Sequence, residues 1–553
     1  MKNAPFSAAT EMGSRVLAIA LDAADWERIQ AWAARGLLPN FKAVAERGSF
    51  CAVENFPLYR NESPWVSMLT GCLPGKTGYW TPLSYHPRGY RVATGGAYSF
   101  APFRPFFALA PGKQVTVFDL PHCGRLFPEV AGVQVLGWGA HSPMSGGRSR
   151  PAGLYGRLQR RFGSHPALRT QNRGSWWDGG RLLRLHAALR EGLRRRGALL
   201  KALRSEHPAD LSLLAFSELH IAGHHFWHLS DPAHPLHARN HPPLPDLLLD
   251  VYRETDRELG RLLEGMASDE NLLLFSPEGG AVNWCDLNSM VFLPELLFRW
   301  DFPGRSLFHS PGSGEAAPGP ALQPRCKDWP QALWHDHYAD LPPSWLARPL
   351  QRPFRKLAGL PGIQFPFFLL RRLGALQWQP ATWYRPWWPR MRAFALPSYG
   401  DGCIRINLRG REPQGIVAPS AVGPLCRELT ERLLALRDPR SGRPLVREVV
   451  RTEPPHSGIA AGCKPDADLV VLWERQANDM AEDREAGRLG PAPFWKSGSH
   501  RPTGFVLGLG PDIPSWSANR QGRVVDLAPT VLNLLGAPLP GHLDGRPLFR
   551  EGE

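Results

Sequence analysis

Short, unbroken apolar runs separated by helical patterns constrain this chain more than any other feature. Residues 16–21, 114–118, 211–216, 271–275, 468–472 and 505–509 are such runs. They read as strands of a mainly parallel sheet covered on both faces. Between them, residues 26–35, 40–47, 247–266, 425–436 and 527–535 carry apolar positions at helical spacing. Strands alternating with helices predict an α/β fold with helices on both faces of the sheet. In such sheets ligands sit beyond the carboxyl ends of the strands. Asp22 follows the first run, Glu218 and His220 follow another, and Pro277-Glu278-Gly279-Gly280 follows a third. The pattern therefore predicts that these groups meet at one edge.

His220 and His224 are four residues apart in a segment with helical character. That spacing puts two imidazoles on one helix face, within reach of one metal ion. His500 is a distant third candidate. Three neutral imidazoles and an open position make a catalytic type of zinc site. Such pairs are also common on ordinary polar helix surfaces, so spacing alone favours the surface reading. The flanking sequence reverses that preference. His225 is the obvious spare donor.

At 553 residues the chain has room for one large domain with insertions or two to four ordinary ones. Its 43% hydrophobic and 21% charged residues describe a globular protein. The net charge of +15, mainly from Arg, fits an acidic ligand or surface and equally an arginine-rich proteome. The eight cysteines form no CxxC pair, so neither a disulfide framework nor a cysteine zinc site is indicated. Residues 16–21 are too short for a secretory h-region, and no run is long enough to span a bilayer. The expected location is cytoplasmic. Residues 181–204 form a basic amphipathic helix pattern, read as a helix packed on the sheet, with peripheral membrane contact as the competing reading. Residues 301–392 are rich in Pro, Trp and Arg. Their aromatic part, 378–390, reads as a cap over a ligand or as a segment burying its own rings.

Several motifs occur in an order that carries a family resemblance. VLAIALDAADWERIQAWAARGLLPNFKAVAERG opens the chain, and NESPWVSMLTGCLPGKTGYW comes after it. IRINLRGREPQGIV, GSHRPTGFVLGLGP and VVDLAPTVLNLLGAPLPGHLDGRPL come later. Together they resemble the type I phosphodiesterase/nucleotide pyrophosphatase branch of the alkaline phosphatase superfamily. The resemblance implies an alkaline phosphatase-like core in two parts, residues 15–300 (with a helical insertion near 150–205) and 393–553. The Pro/Trp-rich cap, 301–392, would lie between them.

The resemblance also implies a site for two close metals, commonly zinc. The first would be held by His220, His224 and His500, with His220 standing where the family usually has Asp. The second would use Asp22, a Thr or Ser nucleophile, and the Asp-His of an "SDHG" segment. Here the chain departs. That segment reads Ser276-Pro277-Glu278-Gly279, so Pro277 offers no side-chain ligand and Glu278 replaces His. The nucleophile position falls on Asn61, which is no nucleophile, and Ser63 is the nearby provisional one. The resemblance thus supports one metal and leaves the second site incomplete.

The expected activity is metal-dependent hydrolysis of a phosphate ester, with a nucleotide, glycan or other small molecule as substrate and no specific nucleic-acid binding. Glu278 is a candidate general base or second-cation ligand. Arg501 and Arg411 are candidates to neutralise the substrate anion. The alternatives are a non-catalytic relative that binds an anionic ligand or protein partner, and a phosphoryl-type transferase.

Overall fold

The computed structural model describes residues 14–549, apart from 57, 59–60, 95–96, 140–145, 169–175, 238, 240–242, 308–378, 453–464 and 516–519. A nine-stranded sheet organises the chain. Its strands lie in the order Arg520–Arg523, Ser49–Glu54, Thr503–Leu509, Glu270–Ser276, Arg15–Leu21, Leu211–Phe216, Val115–Phe118, Gly132–Leu136 and Arg148–Arg150. The central strands, from Glu270–Ser276 to Gly132–Leu136, are parallel. Thr503–Leu509 and Arg148–Arg150 run antiparallel to their inner neighbours.

Arg15–Leu21 is apolar on both faces because both are covered. Leu17, Ile19 and Leu21 pack with Ile29, Phe41, Leu189, Phe226 and Leu259. Val16, Ala18 and Ala20 pack on the other face with Trp65, Met68, Leu527 and Val531. Each fully buried Leu or Ile contributes roughly 1.5–3 kcal/mol of transfer free energy, so these faces fix the register strongly. Leu21 pairs with Phe216, and Ala20 with Phe275. One or two residues further on, Asp22, Ser217 and Pro277 leave the sheet side by side. The register therefore delivers the candidate residues to one edge.

One expected strand has a different home. The run 468–472 appears as Leu469–Trp473 in a separate antiparallel sheet, ordered Ala393–Leu396, Gly402–Ile406, Leu469–Trp473, Val446–Arg451. An apolar run reports burial, and the partner strands choose its sheet.

The basic segment is the helix Gly179–Glu206. Leu182, Leu185, Leu189, Leu193, Leu199, Leu200 and Leu203 are buried along it. Its cations serve the protein interior and neighbouring elements: Arg190 and Arg194 meet Glu254 at 3.0 and 3.2 Å, and Arg204 meets Glu270 at 2.7 Å. This geometry matches the packed-helix reading. Among the described residues no helix is long and apolar enough to cross a membrane.

Most of the expected cap, residues 308–378, lies outside the described residues. The aromatic stretch on its C-terminal side is core. Trp388 stacks on Phe394 at 4.5 Å, and Trp383 and Trp387 are also buried. For these rings the self-burying reading holds.

Candidate functional site

The helix Glu218–Ser230 starts almost directly from the strand Leu211–Phe216, with Glu218 in its first turn, where a carboxylate suits the positive helix end. His220 and His224 sit one turn apart with ring centroids at 4.5 Å. A two-stranded ribbon, Gly279–Val282 with Gly498–Arg501, pairs Gly280 with His500. It brings the His500 ring to 4.7 Å from His220 and 5.0 Å from His224. Gly498 makes this approach possible, since a Cβ there would lie 2.2 Å from the Gly223 carbonyl oxygen. The Ser497 amide donates to the His224 carbonyl at 2.8 Å and closes the seam.

One ligand atom from each imidazole lies within 4.8 Å of the others. His224 Nδ1 faces the Gly498 carbonyl at 2.7 Å. A carbonyl can only accept, so Nδ1 carries the proton and Nε2 keeps its electron pair. Burial pushes His224 well below the usual imidazole pKa, and the Lys496, His220 and His500 charges push it further. A buried, neutral imidazole is the form that binds metal. This donor set fits a divalent transition ion, zinc among them.

Two carboxylates flank the imidazoles. Asp22 Oδ2 lies 3.6 Å from His220 Nδ1, while Trp65 Nε1 donates to Asp22 Oδ1 at 3.2 Å. Glu278 Oε1 lies 3.3 Å from His500 Nδ1. Among the described residues the converging metal-ligand group holds the three imidazoles and no carboxylate. Asp22, His220, His224, Glu278 and His500 thus gather at one sheet edge, with each carboxylate facing one ring.

Behind the helix start lies a buried charge network that the sequence reading did not identify. Arg196 Nε donates to Glu218 Oε1 at 2.8 Å, and its Nη1 donates to Asp119 Oδ2 at 2.9 Å. His165 Nε2 lies 2.9 Å from Glu218 Oε1. Burial alone would raise the Glu218 pKa, but Arg196 and His165 outweigh it and hold the group at about 2. The only sequence signal was a carboxylate and a long basic helix, and their pairing spans 22 residues.

The other half of the site is built differently. Asn61 is buried, and its side-chain amide donates to the Tyr399 carbonyl. Glu62 is left-handed at φ 76°, a conformation that non-glycine residues adopt at a cost of order 1–3 kcal/mol. Ser63 is fully buried as the first residue of the helix Ser63–Thr70. Pro277 offers no side-chain donor. The two arginines proposed for the substrate are engaged elsewhere. Arg501 pairs with Asp25 at 2.6 Å and also with Glu27. Arg411 pairs with Asp468 at 2.6 Å and Glu412 at 3.0 Å, beside the second sheet. His225 is buried on the histidine helix but is not in the converging group.

The sequence profile of the family described as type I phosphodiesterase / nucleotide pyrophosphatase matches residues 16–301, just over half of the chain. No curated protein matches in sequence. The alkaline phosphatase PafA aligns over 99% of this chain and 99% of its own, at 13% identity and a TM-score of 0.50. That likeness shows a shared fold. A phosphonoacetate hydrolase from Sinorhizobium meliloti 1021, solved with phosphonoformate, aligns over 95% of this chain and 96% of its own, at 15% identity and a TM-score of 0.47. Murine ectonucleotide pyrophosphatase / phosphodiesterase 5 aligns over the same shares, 95% and 96%, at 10% identity and a TM-score of 0.45.

Proposed function

The chain belongs to the type I phosphodiesterase / nucleotide pyrophosphatase family, and from this premise we propose that it hydrolyses a small-molecule phosphate ester with one divalent metal ion, zinc, held by His220, His224 and His500. The observation that carries the reading is the approach of three buried imidazoles to within 4.8 Å. When bound, such an ion supplies Lewis-acid polarisation of an ester oxygen and makes nearby water more acidic. Asp22 and Glu278 face the Nδ1 edges of His220 and His500, the side from which a carboxylate can fix a ligating imidazole and raise its basicity. We assign the attacking oxygen to water, because Asn61 has no nucleophilic atom and Ser63 is enclosed at a helix start.

A cytoplasmic location belongs to the same proposal. Cys51, Cys72, Cys123, Cys285 and Cys426 are buried thiols, which suits a reducing compartment.

The second reading is a non-catalytic family member, and the bonding of Asn61 at the nucleophile position favours it. Turnover of phosphomonoester and phosphodiester reporters by tag-free, metal-loaded protein separates the two. The hydrolase reading expects turnover that survives Ser63→Ala and is lost in His224→Ala. Loss in Ser63→Ala with metal retained would make the serine the nucleophile. Metal retention with no turnover of any ester would leave the binding role.

A further inference from the structure

Lys496 interacts electrostatically with His224 in the histidine half of the site and with Glu62 beside Asn61. Its carbonyl accepts from Asn283 Nδ2 at 2.8 Å, and the next residue bonds the His224 carbonyl. The residue therefore sits on the seam between the histidine helix and the ribbon that carries His500. Its side chain is closely surrounded by protein but keeps partial exposure. Burial lowers its pKa, and the charges of Asp286 and Glu62 act on it in the opposite sense.

Those carboxylates have other partners. Glu62 Oε2 lies 3.7 Å from His122 Nε2, and Asp286 Oδ2 accepts from Asn283 Nδ2 at 2.9 Å. Among the described residues the Lys496 ammonium itself has no ion-pair or hydrogen-bond partner. A cation enclosed by protein without a partner loses hydration that only a ligand or water can replace. Its field reaches both sides of the site: His224 on one side and Glu62, the neighbour of Asn61, on the other. A second donor lies near Glu62. The Tyr79 hydroxyl is buried without a hydrogen-bond partner, and it feels the Glu62 charge. Tyr399, whose carbonyl anchors Asn61, feels both Glu62 and Tyr79.

We propose that Lys496 is the anion-binding residue of this site, its ammonium taking a non-bridging oxygen of a phosphate ester held between the three histidines and the Asn61 loop. A lysine is a compact, strongly hydrated point charge and suits a tetrahedral oxyanion. In this chain it supplies the positive charge that the Ser276-Pro277-Glu278-Gly279 segment is poorly equipped to recruit as a second metal. The inference deepens the hydrolase reading and rests on it for the substrate class.

The test is titration calorimetry of inorganic phosphate into the full chain, metal-free and zinc-loaded, for wild type, Lys496→Met and Lys496→Arg. Zinc content is measured on the same samples. Wild type is expected to bind phosphate in both states. Lys496→Met is expected to weaken binding at least about tenfold, the cost of about 1.4 kcal/mol, with zinc content unchanged. Lys496→Arg keeps the charge and is expected to recover most of the affinity. Phosphate binding by Lys496→Met equal to wild type would overturn the proposal, as would no phosphate binding by wild type. If Lys496→Met does not fold, Lys496→Gln takes its place under the same criteria. Zinc absent from wild type would defeat the metal reading alone, because the metal-free titration still decides the role of Lys496.

Discussion

Around His220 and His224 the fold uses fixed charge and direct bonds. Arg196 ties Glu218 to Asp119, and His224 is set against the Gly498 carbonyl. Around Asn61 it uses an amide bonded to a backbone carbonyl, a left-handed Glu62, an enclosed Ser63 and a proline. Both halves lie at the same edge of the same sheet, so the fold alone does not explain the contrast. A site decaying by drift would lose its groups across both halves. Here one half keeps a chemically consistent set of three imidazole donors, and the other holds Asn61, Ser63 and Pro277. The contrast is what the proposed single-metal reading expects.

The largest expected effect is on acid stability and concerns the histidine helix and the segment after it. Burial, followed by neighbouring imidazoles, lowers the His228 pKa to about 3. Burial also leads the lowering of His234 to about 4. Both imidazoles are harder to protonate folded than unfolded, so the unfolded chain binds more protons in acid. Stability is therefore complete above the ordinary pKa of 6.5 and is lost progressively as pH falls through about 4 and about 3. Denaturant titrations across this range should show the decline, and a flat profile would place the instability elsewhere.

Next comes Arg196→Met. It leaves Glu218 and Asp119 buried without their cation, a change expected to cost about 3–5 kcal/mol. Urea denaturation reads it directly. A loss under about 1 kcal/mol would mean that the histidine half is not braced by this network.

Glu278→Gln removes the charge facing His500 while keeping the shape. Loss of such an orienting carboxylate is expected to weaken metal binding about 10–100-fold, measured by competition with a chelating dye. Loss of all detectable metal would instead make Glu278 a direct ligand.

Asn61→Ala should have the smallest effect. It removes one hydrogen bond to the Tyr399 carbonyl, about 1 kcal/mol of stability, and is expected to leave turnover within about twofold, under 0.5 kcal/mol of barrier. A collapse of turnover would give Asn61 a role in the chemistry.

Much of the fold was legible because buried parallel strands are apolar throughout. The runs at 16–21, 211–216 and 271–275 reappear within strands Arg15–Leu21, Leu211–Phe216 and Glu270–Ser276. Strand direction and sheet membership were less legible. Residues 505–509 lie in an antiparallel member of the main sheet, and 468–472 lie in another sheet. Neither property is written in a strand's own side chains. The convergence of His220, His224 and His500 was anticipated from strand ends and motif order. Lys496 and Arg196 were not singled out, because their importance depends on what surrounds them after folding. Arg196 reads as one more cation on a basic helix until its burial is known.

The central claim is one metal on three histidines, and the most direct measurement is the metal content of purified protein without a histidine tag. Wild type is expected to hold one equivalent of divalent metal per chain. His224→Ala and His500→Ala are expected to hold almost none, with the fold retained by circular dichroism. Two equivalents in wild type, or unchanged content in both variants, would contradict the claim.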